Sequence, residues 1–164
     1  LRVLAFNRCV RDLGGRTTTD LLTELAKDFV VEPISDDRAA EFPAQRGQFL
    51  MLLNGRTILL TLRRRLANKS PLRNLDGSIL QEKILEPLLG IRDVRGDPRL
   101  DYVTGDSGLD GLKARCSEGW QLGFACFPTS LAELMAVADA SEGMPPKSTC
   151  FDPKPRSGIF VRMS

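Results

Sequence analysis

Lys147, Ser148 and Thr149, followed by Lys154, Arg156 and Ser157, gather ammonium, guanidinium and hydroxyl groups in one short stretch. Such groups, together with backbone N–H donors, grip the oxygens of phosphate or carboxylate. Pro145, Pro146, Pro153 and Pro155 run through the same stretch and forbid a regular helix or central strand there. It is not a Walker-type phosphate loop, because the glycine spacing of GxxxxGKS/T is lacking. The plainer alternative is a proline-stiffened crossover whose Lys and Arg face solvent. Asn7 and Arg8 join the candidate set, since a strand end followed by Asn-Arg presents donors to the same site if the first and last strands are neighbours. Their plainer alternative is an Arg8–Asp12 pair within a loop.

Other chemistries are narrowed by what the chain lacks. It has no histidine, so no Ser-His-Asp or Cys-His constellation can form within it. A general base would have to be Asp, Glu, Lys or Tyr. Cys9, Cys116, Cys126 and Cys150 are widely spaced, without a CxxC pair, and read as reduced, buried thiols. Asp93, Asp97, Asp101, Asp106 and Asp110 could hold Mg²⁺, but Arg92, Arg95 and Arg99 interleave with them, which reads as surface ion pairing. Arg63, Arg64, Arg65, Lys69 and Arg73 lie in a stretch without acidic residues. Only 6% of the chain is aromatic, so no stacking platform for bases accompanies them, and nucleic acid is not the partner this pattern favours.

The elements that must position these groups follow from pattern. Leu1 to Phe6 reads as a strand and Asn7 to Gly15 as a loop. Thr17 and Asp20 cap a helix with Leu21, Leu22, Leu25 and Phe29 inward. Phe49–Leu53 and Thr57–Leu62 flank Asn54-Gly55, a type I′ hairpin turn. A helix capped by Asp76 or Ser78 runs to about Leu85, and Pro87 kinks or ends it. Leu100–Thr104 and Trp120–Phe127 read as strands. Ser107 with Asp110 caps a helix between them, and Trp120, Phe124 and Phe127 read as core. Ser130 with Glu133 caps the last helix, which Leu131, Leu134, Met135 and Ala138 mark. Gly158 to Met163 reads as a final strand. The expected fold is α+β: a mixed, mainly antiparallel sheet with a central hairpin and about four helices packed on it. Its 164 residues, 42% hydrophobic and 27% charged, fit one globular domain. No apolar run reaches the roughly 20 residues of a membrane span, and no leader is visible.

Four stretches also resemble one family. Leu134-Met135-Ala136-Val137-Ala138-Asp139-Ala140 through Met144-Pro145-Pro146-Lys147-Ser148-Thr149 to Ser157-Gly158 is similar to the C-terminal signature of the bacterial and archaeal domain of unknown function 1015. Phe6-Asn7-Arg8 with Val10-Arg11-Asp12-Leu13 resembles its YNRVVKDL segment. Leu80-Gln81-Glu82 through Ile84-Leu85-Glu86-Pro87-Leu88-Leu89-Gly90-Ile91 resembles its LLQ…ILEPLLGI helix, and Asp101-Tyr102-Val103 its DFVGG strand. Thr104 stands where that family has Gly, so no binding role is carried to that loop.

The resemblance implies that residues 1–164 are the C-terminal domain of a longer parent. An upstream ADGHHR-like motif would lie in that parent, similar to ParB and sulfiredoxin-like domains that bind nucleotides and support phosphotransfer. The expectation is an accessory part that binds a small anionic metabolite or nucleotide through Lys147, Ser148, Thr149, Lys154, Arg156, Ser157, Asn7 and Arg8. The fragment itself would be inactive and hold no cofactor, a nucleotide belonging to the parent, which would be a cytoplasmic small-metabolite phosphotransferase. The missing N-terminal region would be its partner, and a homodimer is open. The alternative is a non-catalytic scaffold or interaction domain.

Overall fold

In the computed structural model, described for residues 2–41, 43–64 and 69–153, six strands form one antiparallel sheet. The strands are β2 (Phe6–Val10), β3 (Phe29–Ile34), β4 (Gln48–Leu53), β5 (Arg56–Leu62), β6 (Leu100–Thr104) and β7 (Leu122–Cys126), in the order β3-β5-β4-β7-β2-β6. A separate pair joins β1 (Arg2–Leu4) to β8 (Cys150–Asp152), with Val3 opposite Phe151. That pair ties the Pro-rich segment to the start of the chain. The expected final strand, 158–163, lies outside the described residues.

The hairpin is as read from Asn54-Gly55. Both residues have positive φ, 50° and 72°, and Leu53 pairs with Arg56 across the turn. Every residue of β4 is buried, because both faces of the sheet are covered. Phe49, Met51 and Leu53 enter one core with Leu21 and Leu25 of α1 (Thr18–Asp28) and with Leu80 of α3 (Asp76–Leu80). Leu50 and Leu52 enter the other, with Ala39 of α2 (Asp36–Ala39) and Leu112 of α4 (Gly108–Ser117). Alternate side chains of one strand thus feed two layers of helix.

Three local expectations are corrected. Asn7 to Val10 is not loop but a strand inside the sheet, paired along its length by β6 and from Arg8 onward also by β7; its polar Asn and Arg find tertiary partners. Neither Asp76 nor Ser78 caps α3: Asp76 accepts from Gly47 N–H, and Ser78 donates to Leu72 O. Ser107 makes no side-chain cap for α4. On α5 (Leu131–Asp139) the buried residue is Val137, while Leu131 and Met135 are 55% and 58% exposed. Its sequence is apolar on nearly every side, so periodicity selects no face. The two caps at Thr17 and Ser130 form as read, with Ser130 and Glu133 completing a reciprocal box.

After α3 the helix widens into a π segment, Gln81–Leu85, marked by the bonds Glu86 N to Gln81 O and Leu89 N to Ile84 O. Such widenings recur at functional sites, and this one borders the cavity described next.

Candidate functional site

Arg8 sits on β2 opposite Tyr102 of β6 and Phe124 of β7. Its side chain leaves the sheet on the same face as Phe6 and enters a cavity of about 170 Å³. The walls are apolar: Phe6, Leu85, Val94, Tyr102, Phe127 and Pro145. Phe127, read from sequence as core, is half-buried and belongs to this wall. Arg8, Ser78, Gln81, Thr129 and Ser148 supply polar groups, and Glu82, paired with Arg73, also borders it.

Arg8 is 8% exposed. Its Nη1 donates to Phe6 O (2.7 Å) and to Cys126 Sγ (3.3 Å), and its carbon lies 5.8 Å from the Tyr102 ring centre. All these partners are neutral. Burial pushes the Cys126 thiol up, against the opposing pull of Arg8, so it stays protonated; burial raises Tyr102 as well. None of the ion pairs among the described residues includes Arg8. A buried cation without an anionic partner is costly unless something completes it.

Gly77 of α3 makes room for this side chain. A Cβ there would stand 2.9 Å from Arg8 Nη2. One turn further on, Gln81 donates from Nε2 to Ile91 O (2.8 Å), which fixes the amide. Its Oε1 is buried without a hydrogen-bond partner, the one such side-chain atom among the described residues.

The Pro-rich segment closes another side of the cavity through Pro145, Pro146 and Ser148. Ser148 Oγ donates to Pro145 O across a tight turn, and Lys147 within that turn has φ 55°. A lysine in the left-handed region is uncommon and carries strain. Lys147 is exposed and its Nζ lies 5.4 Å from the Phe6 ring centre, at the cavity's edge. The segment is anchored upstream by Glu142, whose carboxylate accepts from Leu72 N–H (3.0 Å); a hydrogen bond from Ser70 is the main cause holding its pKa below the ordinary value.

The candidate residues therefore divide. Arg8 and Ser148 line one cavity, with Lys147 beside it. Thr149 is half-buried and not part of the lining. Asn7 is on the opposite face of the sheet, because neighbours in a strand point opposite ways; its Oδ1 accepts from Cys126 N–H (3.1 Å). Lys154, Arg156 and Ser157 lie outside the described residues. The Arg8–Asp12 pair does not form: Asp12 accepts from Gly14 N–H and pairs with Arg99. Sequence reading passed over Gln81 and Gly77. A glycine in the first turn of a helix was the available signal for the second.

Several of the other charged groups have structural partners. Asp97 pairs with Arg99 (2.9 Å), which holds its pKa below the ordinary value, and Asp101 pairs with Arg115. Arg63 donates to Ala26 O and Phe29 O, and Arg73 pairs with Glu82. Arg65 lies outside the described residues. Among the described residues no helix is long and apolar enough to cross a membrane.

The family described as Protein of unknown function (DUF1015) matches residues 1–78. These are 78 of the chain's 164 residues. The match takes in β2 and Gly77 and ends just before Gln81, so the Pro-rich segment and the stretch around Pro87 lie beyond it. No curated protein matches the sequence. Among solved structures, the chain is similar to a point mutant of free serine kinase in complex with AMP, at 13% identity and a TM-score of 0.48, and to the same protein in complex with ADP, at 14% and 0.48. Each alignment covers 91% of this chain and 53% of the kinase chain, so the chain spans about half the length of these structures.

Proposed function

We propose that the chain binds a small anionic metabolite in the cavity between β2, the α3–π helix and the Pro-rich turn, with Arg8 as the anion's partner and Lys147 at the entrance. One observation carries this reading: Arg8, 8% exposed, lines a cavity and has only neutral partners among the described residues. A carboxylate or phosphate oxygen would complete it by charge-assisted hydrogen bonds. The apolar walls suit a small carboxylate or one end of a phosphorylated molecule, since about 170 Å³ is ring-sized rather than nucleotide-sized. The domain would serve as an accessory binding part of a longer protein, with phosphotransfer chemistry and any nucleotide supplied upstream, as the family resemblance implies.

Calorimetric titration with inorganic phosphate and with benzoate tests this. Saturable binding at one site is expected, weakened at least thirtyfold in Arg8→Gln, the order of loss for a buried charged partner. Gln retains a donor for Phe6 O, so circular dichroism should be unchanged. Equal binding by Arg8→Gln would refute the assignment.

A second reading, an interaction domain, is favoured by the exposed Leu131 and Met135, one turn apart on α5. It requires association that Leu131→Ser with Met135→Ser abolishes in sedimentation velocity.

A further inference from the structure

On the sheet face away from Arg8, the side-chain amide of Asn7 has one engaged end and one idle end. Oδ1 accepts from Cys126 N–H at 3.1 Å, which fixes the amide's orientation, and Nδ2 donates to no atom among the described residues. Asn7 is 5% exposed. Gln81 Oε1 is the one wholly covered side-chain nitrogen or oxygen without a partner among the described residues, so Asn7 Nδ2 meets open space. That space is a cleft of about 580 Å³, and Asn7 is part of its wall.

The start of α4 forms another part of the wall. Val103 faces Asn7 across the β2–β6 pair, and its Cγ1 would stand 2.9 Å from a Cβ on Gly111, so the helix lies close over this part of the sheet. Leu4, Ala39, Pro43, Leu109 and Pro128 add apolar surface. The charged groups of the lining are Asp36, Asp106, Asp110 and Lys113. Three carboxylates outweigh one ammonium and the positive end of α4, which is worth about half a charge. Asp106 and Asp110 have a plain reason to stand at a helix start. The idle donor of Asn7 has none.

We propose that this cleft is a second binding site, for an organic cation that carries a carbonyl or hydroxyl oxygen. The oxygen accepts from Asn7 Nδ2. The field of the carboxylates favours the positive charge and disfavours acids, and the apolar walls cover the rest of the molecule. The site stands independently of the anion site at Arg8.

The probes are 1-methylnicotinamide and its neutral isostere 3-methylbenzamide, with 1,3-dimethylpyridinium as a cation that lacks the acceptor. NMR titrations of the wild-type chain follow the side-chain amide protons of Asn7. Saturable shifts are expected with 1-methylnicotinamide. Its affinity should be about threefold above that of 3-methylbenzamide, the reach of screened charges. It should be about threefold to tenfold above that of 1,3-dimethylpyridinium, the range of one hydrogen bond. Asp110→Asn should lessen the first preference and keep the second; an unchanged first preference overturns the charge assignment, as does equal binding of the neutral isostere to the wild-type chain. Equal affinity for the two cations overturns the role of Asn7. No saturable shift at Asn7 means that its donor serves water only, and overturns the site. Each of these results leaves benzoate binding at Arg8 as it was.

Discussion

The guanidinium of Arg8 rests against the backbone of Gly77, with Nη2 only 2.9 Å from the position a Cβ would take. The glycine is thus a spacer for a buried cation. Gly77→Ala should improve helix propensity by up to about 1 kcal/mol while forcing the guanidinium aside. We expect benzoate affinity to fall by roughly tenfold, one charge-assisted hydrogen bond, with the urea midpoint changed little. A variant with native affinity would mean that Arg8 is not held where the anion needs it.

Asn7 and Arg8 are consecutive but have separate duties. Asn7→Ala leaves the N–H of the buried Cys126 without its acceptor, which should cost about 1–3 kcal/mol in urea unfolding. Benzoate affinity should not change. Loss of affinity at native stability would return Asn7 to the binding set.

Lys147 combines a strained backbone with an exposed charge. Lys147→Gly keeps the turn and removes both. Stability should be unchanged or rise by up to about 1 kcal/mol. Phosphate affinity should drop by about twofold to threefold, and its salt dependence should weaken, as for a solvent-screened charge. Calorimetry at two salt concentrations reads both effects.

Burial pushes the Cys9 thiol up to about 12, with Cys116 adding to the rise, from an ordinary value of 9.0. In the unfolded chain this thiol ionises first, so above pH 9 the folded state holds the proton more tightly. The contribution is complete below pH 9 and is lost as pH rises towards about 12. Urea midpoints should therefore fall across that window, and less steeply in Cys9→Ala. Identical slopes would show that Cys9 is not the group responsible.

Pattern alone recovered the elements whose local chemistry is self-sufficient. Asn54-Gly55 can take the positive φ angles of a type I′ turn, and Ser130 with Glu133 satisfies its own helix start; both formed as read. The burial of β4 on both faces was also visible as an unbroken apolar run. Arg8 within a strand was not, because a polar pair at a strand end reads as loop until its partners, Phe6 O, Cys126 and the space over Gly77, come from distant positions. The unmet acceptor of Gln81 depends on the π segment and on Ile91 O, neither of which has a sequence signature. The inward face of α5 was not legible for the opposite reason: too many of its residues are apolar for spacing to discriminate.

The most direct measurement is a benzoate titration of the wild-type chain followed at arginine side-chain Nε–Hε signals by NMR. Arg8 should shift and saturate along with the backbone amide of Ser148, while the surface-paired Arg73 stays fixed. No saturable change at Arg8, or equal drift of both arginines, would contradict an anion site in this cavity.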